Sequence, residues 1–376
     1  MEMQDIRKMA DSYKEISIAT LGSHSALDVC EGAKREGIRT LVVCERGREK
    51  TYGKHYLARK RQGRDLGCID EIMLLDEFSD ISNPDAVAQL QRKNAIFVPH
   101  RSFSVYVGHD AIENKFEVPI FGNRRLLRAE ERSAAKNQLY LLKKAGIRVP
   151  KSFSKPSQID RPALVKASEA SRSYERAFFF ASSEKEYERR SGEMLKNGTI
   201  TEQGLRSAPI EEFILGAQYN FNFFYSPLNA ELEFIGTDTR RQTNLDGLLK
   251  LPAAEQIEAL KHVRMSNIEI GHMACTLRES MLEKVFDIGE KFVEACRKEY
   301  SPGLIGPFAL QGAVIPEEKS EEIVIFDVSF RLPGSPGLRF TPYTGYLYGE
   351  SLSMGRRTAI EIKSAFKSER LSEVVT

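Results

Sequence analysis

The sequence lacks tryptophan and contains only five cysteines among 376 residues. These cysteines are scattered and form no CxxC pair, which argues against a disulfide framework and against a zinc site. No run of about 18 apolar residues occurs, and the charged N-terminal segment MEMQDIRKMADSYKEI has no apolar core. We therefore expect reduced thiols, no membrane partner and a cytoplasmic protein.

The sequence also lacks an excess of charge of either sign. Lysine and arginine together number 55, aspartate and glutamate number 53, and no long basic block occurs. A sequence-independent nucleic-acid surface requires such an excess, so we expect no nucleic-acid partner. Small anions remain as candidate ligands.

The length of the chain indicates more than one structural unit. One hydrophobic core usually stops growing at roughly 250 to 300 residues, and this chain is longer. Its 41% hydrophobic and 29% charged residues are typical of a globular protein with a sizeable core. We expect two or three units and a cleft.

Strand and helix patterns alternate over the first 125 residues, which predicts an α/β fold with a doubly wound parallel sheet. The predicted elements are strands at 15–21, 39–44, 71–75 and 95–99 and helices at 27–37 and 83–93.

The pattern changes between residues 125 and 150. A helix is predicted over 129–145, since its pattern ends at Gly146. The segments that follow are predicted as strands at 162–167, 176–182, 209–215, 219–226, 308–315 and 321–330 and helices at 255–260, 280–299 and 354–368.

Two polar loops follow predicted parallel strands. Gly22-Ser23-His24-Ser25 leaves a strand and opens a helix, where free backbone N–H groups favour an anion such as phosphate. The alternative is a solvated loop histidine, with Ser25 only capping the helix. Pro99-His100-Arg101-Ser102-Phe103 follows another strand, and the carboxyl ends of such strands are where open α/β sheets bind ligands.

Cations suited to a polyphosphate occur in the middle of the chain. Lys136 and Lys166 lie on separate predicted elements that flank such a ligand, although lone lysines are common on surfaces. The run Ile210–Ile214, which includes Glu211 and Glu212, offers backbone groups to a purine edge, and an amphipathic strand explains it equally well.

Charged residues interrupt an apolar stretch near the end. Gln311 and Asp327 lie on successive predicted strands, from which two oxygen atoms are placed to hold Mg²⁺ against nucleotide phosphates. Arg331 follows four residues after Asp327. Burying such charges is costly unless they are paired or metal-bound, which favours a site here.

Several short motifs occur together along the chain. They are ATLGSHSAL, VPHRSF, PIFGNRRLLR, AGIRVPKSF, IEEFILG, TNLDGL, GLIGPFALQ and ESLSMGRR. In these motifs and in their order, from about residue 15 to the C-terminus, the chain resembles the archaeal formate-dependent 5-formaminoimidazole-4-carboxamide ribonucleotide synthetase family, an ATP-grasp group of purine biosynthesis.

This resemblance implies an ATP-grasp fold in three parts. An N-terminal doubly wound domain with the substrate loops spans 1–125, a small subdomain with a linking helix spans 126–215, and a large subdomain with the metal site spans 216–376. It also implies that ATP and formate form formyl phosphate, which formylates aminoimidazole carboxamide ribonucleotide.

The resemblance assigns roles to individual residues. The ribonucleotide contacts are His24, Ser102 and Asn244; the ATP contacts are Lys136, Lys166, Glu211 and Glu212; and the ligands of Mg²⁺, or of Mn²⁺, are Gln311 and Asp327. From the residues themselves we add Ser25 as a ribonucleotide contact and Arg331 as the catalytic residue. A homo-oligomer is also expected.

The chain departs from the family pattern at candidate ligand positions. Residues 167–176 contain no glycine where the family has a glycine-rich phosphate loop, although Arg172 and Arg176 supply cations there. This chain has Asp327 where the family has a glutamate, and it has RLPGSPGLRF where the family has an Asp-Gly-Gly stretch. It also has Arg101 where the family has a glycine in the substrate loop. The alternatives are a non-catalytic paralogue that binds a ribonucleotide and a ligase for a different carboxylate and amine.

Overall fold

The structure is a computed structural model that describes residues 3–168, 176–263, 268–318 and 320–376. The helices are α1 (Met3–Asp11), α2 (Ala26–Arg35), α3 (Pro84–Arg92), α4 (Arg101–Val107), α5 (His109–Asn114), α6 (Arg124–Arg128), α7 (Gln138–Lys144), α8 (Glu184–Lys196), α9 (Glu202–Arg206), α10 (Thr243–Leu248), α11 (Ala253–Ala259), α12 (Leu282–Glu299), α13 (Tyr343–Tyr348) and α14 (Met354–Lys367). Within the described ranges, none of these helices is long and apolar enough to cross a membrane.

The strands run through the whole described chain. They are β1 (Ser17–Leu21), β2 (Arg39–Glu45), β3 (Arg59–Arg61), β4 (Arg64–Leu66), β5 (Glu71–Leu75), β6 (Ala95–Phe97), β7 (Ser152–Phe153), β8 (Ala163–Ser168), β9 (Arg176–Ala181), β10 (Ile210–Glu212), β11 (Ala217–Ser226), β12 (Glu231–Gln242), β13 (Glu269–Cys275), β14 (Gly306–Pro316) and β15 (Glu321–Ser329).

The N-terminal sheet has the order β5-β2-β1-β6, and its neighbouring strands are parallel. Every residue of β1 is buried, and its side chains alternate between two apolar cores. Ile18 belongs to the core that contains residues of α2 and α14, whereas Ala19 and Leu21 belong to the core that contains residues of α3 and α4. The prediction of a parallel sheet covered on both faces is confirmed.

Two glycines bring α2 and α14 into backbone contact. A Cβ on Gly32 would collide with the backbone at Gly355 and Arg356, and a Cβ on Gly355 would collide with the backbone of Asp28. The Asp28 carboxylate also accepts a 2.9 Å hydrogen bond from Gly355 N. The close crossing holds the start of α2, and with it the preceding loop, against the C-terminal helix.

The predicted helix over 129–145 is wrong in its first half, since α7 begins only at Gln138. The Asn137 side chain caps α7 by accepting a 3.1 Å bond from Tyr140 N. Gln138 folds back on the preceding turn, where its N donates to Ala129 O at 2.7 Å and its Nε2 donates to Glu130 O at 2.9 Å. A capping side chain therefore competes successfully with continuation of the helix.

A smaller sheet has the order β7-β10-β8-β9, with antiparallel pairs. Alternate residues such as Val165, Phe179 and Ile210 form its apolar core. Helix α8, which the sequence analysis did not predict, starts where the Ser183 hydroxyl accepts a bond from Glu186 N. Its heavily charged surface weakens the apolar periodicity by which a helix is recognised.

A five-stranded sheet has the order β13-β12-β11-β14-β15. Strands β11, β12 and β13 pair antiparallel. β14 and β15 are neighbours, in agreement with the sequence prediction of two closely spaced strands there.

The chain divides into two compact units by its internal contacts. The first comprises 1–146, 219–311 and 327–376, and the second comprises 147–218 and 312–326. The three-part division at residues 125 and 215 remains a prediction.

Candidate active site at the ends of β1 and β6

The loop after β1 is held by its own hydroxyl groups. Ser25 Oγ donates a 2.9 Å bond to Pro333 O instead of capping α2, and His24 Nδ1 lies 2.5 Å from Ser25 Oγ. Because the Ser25 hydrogen is directed to Pro333, His24 Nδ1 is the donor in this contact. The proton-free Nε2 of the neutral ring is therefore an acceptor. His24 has a positive φ of 47°, in the left-handed region that residues other than glycine rarely adopt.

The loop after β6 meets the loop after β1. The rings of His24 and His100 stack with centroids 5.4 Å apart, and Ser102 Oγ donates to Ser23 Oγ at 3.0 Å. His100 is buried between a 3.0 Å bond from its Nε2 to Leu21 O and a 3.3 Å bond that its Nδ1 accepts from Ser102 N. The structure thus brings together His24, Ser25 and Ser102, which sequence analysis had selected separately.

Arg331 lies beside these loops. Its chain neighbour Leu332 pairs with His100 in a parallel bridge and donates to Pro99 O at 3.2 Å. The Arg331 side chain is 7% exposed, and its Nε lies 3.4 Å from Glu130 Oε1. Within the described ranges, this Nε makes no hydrogen bond. A buried guanidinium with an unused donor is suited to bind an anion.

The histidines at the loops are held neutral. Desolvation of the ring, followed by the charges of Arg331 and His100, lowers the pKa of His24 below its ordinary value, although the residue as a whole is exposed to solvent, which weakens the effect. Burial likewise lowers the pKa of His100 to about 4. At neutral pH the positive charge of the loops therefore comes from arginine, and His24 Nε2 remains an acceptor.

The surroundings of the predicted metal ligand Gln311 do not favour a divalent cation in this arrangement, and the metal roles of Gln311 and Asp327 remain predictions. Gln311 is buried, its Oε1 accepts a hydrogen bond from the Arg240 guanidinium, and its Nε2 donates to Ser329 Oγ at 3.2 Å. Asp327 is half-buried. Among the described residues, no group of three or more histidine, cysteine, aspartate or glutamate side chains is placed to hold a metal ion. The positive charge of the Arg240 guanidinium at the Gln311 amide oxygen disfavours a divalent cation there.

The predicted nucleotide contacts lie in different units. Lys136, in the first unit, forms a 2.6 Å ion pair with Glu299. In the second unit, Lys166 Nζ lies 2.7 Å from Glu211 Oε2, and both side chains are largely buried. Glu212 accepts a 3.1 Å bond from Lys151 N and pairs with Arg161 at 3.2 Å. The structure therefore joins Lys166 to Glu211 but leaves the ATP roles as predictions.

Two further predicted parts of the site are Asn244 and the glycine-free loop. Asn244 is half-buried in the first turn of α10, just after β12. The glycine-free loop, with Arg172 among its cations, lies outside the described residues over 169–175. Both therefore remain predictions.

A second polar cluster, which sequence analysis missed, surrounds His272. Its Nδ1 lies 2.5 Å from Asp238 Oδ2, and its Nε2 lies 2.7 Å from Glu269 Oε1. Burial opposes its charge, but these hydrogen bonds outweigh burial and raise the pKa of His272 to about 9. Arg240 Nε lies 2.9 Å from Glu269 Oε2. The available signal was the spacing of Asp238 and Arg240, which are two positions apart on β12 and therefore lie on the same face of the strand.

Comparison with known proteins identifies the family. A family model described as "Domain of unknown function (DUF1297)" matches residues 186–376, and one described as "Protein of unknown function (DUF1246)" matches residues 18–153. The 5-formaminoimidazole-4-carboxamide-1-(beta)-D-ribofuranosyl 5'-monophosphate synthetase of Methanopyrus kandleri is 39% identical over 378 residues, 100% of each chain. The synthetase of the same name from Methanobrevibacter smithii is 38% identical, over 100% of this chain and 99% of its own.

The chain belongs to this synthetase family. A crystal structure of an IMP biosynthesis protein PurP from Thermococcus kodakaraensis is 29% identical and covers 96% of this chain and 100% of its own, with a TM-score of 0.69. An N5-carboxyaminoimidazole ribonucleotide synthetase in an ADP complex has a TM-score of 0.56 at 10% identity, over 86% of this chain and 71% of its own, and it supports the fold alone. The predicted ATP-grasp fold is confirmed, and full-length membership does not favour the non-catalytic alternative.

Proposed function

We propose that this synthetase family member is an ATP- and formate-dependent ligase that formylates aminoimidazole carboxamide ribonucleotide. The observation that carries the proposal is the meeting of the β1 and β6 loops with the buried, partly unused guanidinium of Arg331. The names of its full-length relatives, which specify the formylated product, agree with this substrate class.

The ribonucleotide binds at the two loops of the first unit. His24 Nε2 accepts a hydrogen bond from an N–H or O–H group of the ribonucleotide, while Ser25 and Ser102 hold the loops that carry it. Asn244 supplies an amide contact. Arg331 neutralises negative charge that develops when formate is phosphorylated and when the amine attacks the formyl carbonyl and phosphate leaves. Arg331 is therefore the catalytic residue of the proposal.

ATP is held by the residues predicted from the sequence, which are Lys136, Lys166, Glu211 and Glu212. The support comes from the ion pair between Lys166 and Glu211, because a buried cation within a strand is retained only with a partner. A phosphate of ATP that binds Lys166 then competes with the Glu211 carboxylate for the lysine ammonium group. Mg²⁺ or Mn²⁺ is still predicted to bind with the ATP phosphates. The residues around Gln311 do not fit such an ion, and no step of the proposal depends on it.

The remaining assignments are also proposals. We expect a cytoplasmic homo-oligomer that acts on small molecules, with no nucleic-acid and no membrane partner. The near balance of charge, with a formal net charge of +2, supports the absence of a nucleic-acid surface.

The test is phosphate release from ATP in the presence of the ribonucleotide, with and without formate, in buffer containing Mg²⁺. Release that requires both formate and ribonucleotide supports the ligase. Arg331→Lys keeps the charge but loses the guanidinium fork, so it should lower the rate at saturating substrates. Arg297→Lys, at an exposed ion pair on α12, is the matched control. Phosphate release at the same rate with and without formate would contradict the proposal.

A further inference from the structure

The charge of His272 follows from its hydrogen bonds. A neutral imidazole has one N–H, yet both ring nitrogens face carboxylate oxygens, at 2.5 Å and 2.7 Å. With both carboxylates ionised, both contacts are hydrogen bonds only if the ring is an imidazolium. The Asp238 carboxylate also accepts 2.7 Å bonds from the Asn220 and Asn222 amides, and it is 1% exposed. These two amides fix the position of the Asp238 carboxylate, which in turn fixes the His272 ring.

His272 also contacts the turn after Arg331. Its Nδ1 lies 3.0 Å from Ser335 Oγ as well as 2.5 Å from Asp238 Oδ2, so its one N–H is shared between the two oxygen atoms, and Ser335 is buried. A Cβ built on Gly334 would lie 2.9 Å from His24 Cε1 and 3.3 Å from His272 Nε2. Both rings therefore approach the α-carbon of Gly334, which leaves no space for a side chain there.

The same turn is bonded to the β1 loop. Pro333 O accepts the Ser25 hydroxyl at 2.9 Å, and that hydroxyl is the partner of His24 Nδ1. The turn formed by residues 333–335 is thus held by His272 at one end and by the His24–Ser25 pair at the other.

We infer that His272 is a positioning residue for the ribonucleotide site: it holds the turn 333–335, and the turn sets the orientation of the His24 ring. This inference rests on the proposed function, in which His24 contacts the ribonucleotide. His272 itself touches no substrate, because both of its nitrogens are already bonded.

Charge gives a second reason for an imidazolium at this place. The charged groups that face His272 are Asp238 and Arg240 from β12 and Glu269 from β13, and the charges near His24 are Arg331, Arg101 and Glu269. With His272 charged, the two carboxylates are balanced by two cations. Without it, one carboxylate is in excess, which repels the phosphate of a ribonucleotide.

The first experiment needs no ligand. The ring resonances of His24 are recorded by NMR in the unaltered protein and in His272→Asn, Ser335→Ala and His262→Asn. His262 is exposed near the end of α11 and serves as the control. His272→Asn removes the imidazolium charge, and Ser335→Ala removes only the contact between His272 and the turn 333–335. We expect both to shift the His24 resonances and His262→Asn to leave them unchanged; unchanged resonances in both variants, with the fold intact, would overturn the inference.

The second experiment measures ribonucleotide affinity by calorimetry. His272→Asn should weaken binding roughly tenfold, as expected when a contact group is misplaced by a fraction of an ångström. In a His24→Ala background the same change should cost less than about threefold, because the route through the His24 ring is gone and only the change in charge remains. A full, additive loss in that background would contradict the inference. Absence of ribonucleotide binding by the unaltered protein would instead count against the proposed function, and the NMR result would still decide the positioning role.

Discussion

Gly334→Ala tests whether the turn 333–335 shapes the ribonucleotide site. The added methyl carbon would lie 2.9 Å from His24 Cε1 and 3.0 Å from His24 Nε2. Carbon atoms in contact prefer about 3.5–4.0 Å, so the His24 ring must move by roughly 0.6–1 Å. Inserting a methyl into a packed site costs about 1–3 kcal/mol. Because His24 lies on a loop, we expect the lower half of that range.

Because ribonucleotide binding requires the His24 ring in its original position, this strain of about 1–2 kcal/mol must be overcome on binding, which corresponds to roughly 5- to 30-fold weaker affinity measured by calorimetry. Gly337→Ala is the matched control, since its Cβ would have an ordinary 3.7 Å contact with Ala274 Cβ and should change affinity by less than about twofold. Equal affinities of the Gly334→Ala variant and the unaltered protein, or equal losses in both variants, would refute the reasoning.

Three further predictions concern binding, pH and stability. His24→Ala should weaken ribonucleotide binding about tenfold with an unchanged circular dichroism spectrum, because a loop residue contributes little packing; unchanged affinity would remove His24 from the site. The raised pKa of His272 contributes stability that is present below its ordinary pKa of 6.5 and is lost as pH rises through about 9. The urea midpoint should therefore fall between pH 7 and pH 10, and this fall should be smaller in His272→Asn; equal falls would contradict the assignment. Arg357 is buried and donates to Glu233 at 2.6 Å and 2.7 Å and to Glu361 at 2.9 Å, so Arg357→Met should cost about 3–5 kcal/mol in urea unfolding, and a loss below about 1 kcal/mol would contradict it.

Local patterns predicted the N-terminal fold well. The β-branched runs at β1 and β2 have one helix between them, and this order alone implies parallel pairing. The loops at Ser23–Ser25 and His100–Ser102 were found because each directly follows a strand, and neighbouring parallel strands end at the same edge of a sheet. Their contact in the structure follows from β1 lying beside β6.

Features that depend on a side-chain bond or on distant strands were harder to predict. The start of α7 depends on a cap from Asn137, which competes with a helical pattern that looks continuous from Ala129. Arg124 and Arg125 are adjacent in the sequence, and the buried guanidinium of Arg124 donates to main-chain carbonyls such as Phe116 O at 2.9 Å. A pair of arginines in sequence does not reveal which one is buried.

The cluster at His272 was missed for a related reason. Its carboxylate partners are Glu269, three positions away, and Asp238, on the neighbouring strand. Its contact with the turn 333–335 spans more than sixty positions, since Ser335 Oγ is the partner. No spacing rule connects such residues, because the contact exists only after β12 and β13 have paired.

The most direct test of the central claim is transfer of labelled formate to the ribonucleotide. Purified protein is incubated with isotope-labelled formate, aminoimidazole carboxamide ribonucleotide and Mg-ATP, and the nucleotides are separated and analysed by mass spectrometry. We predict a labelled, formylated ribonucleotide that forms only when ATP is present and is reduced in Arg331→Lys. Ribonucleotide that binds to the protein but acquires no label, with ATP and formate in excess, would contradict the assignment as a ligase.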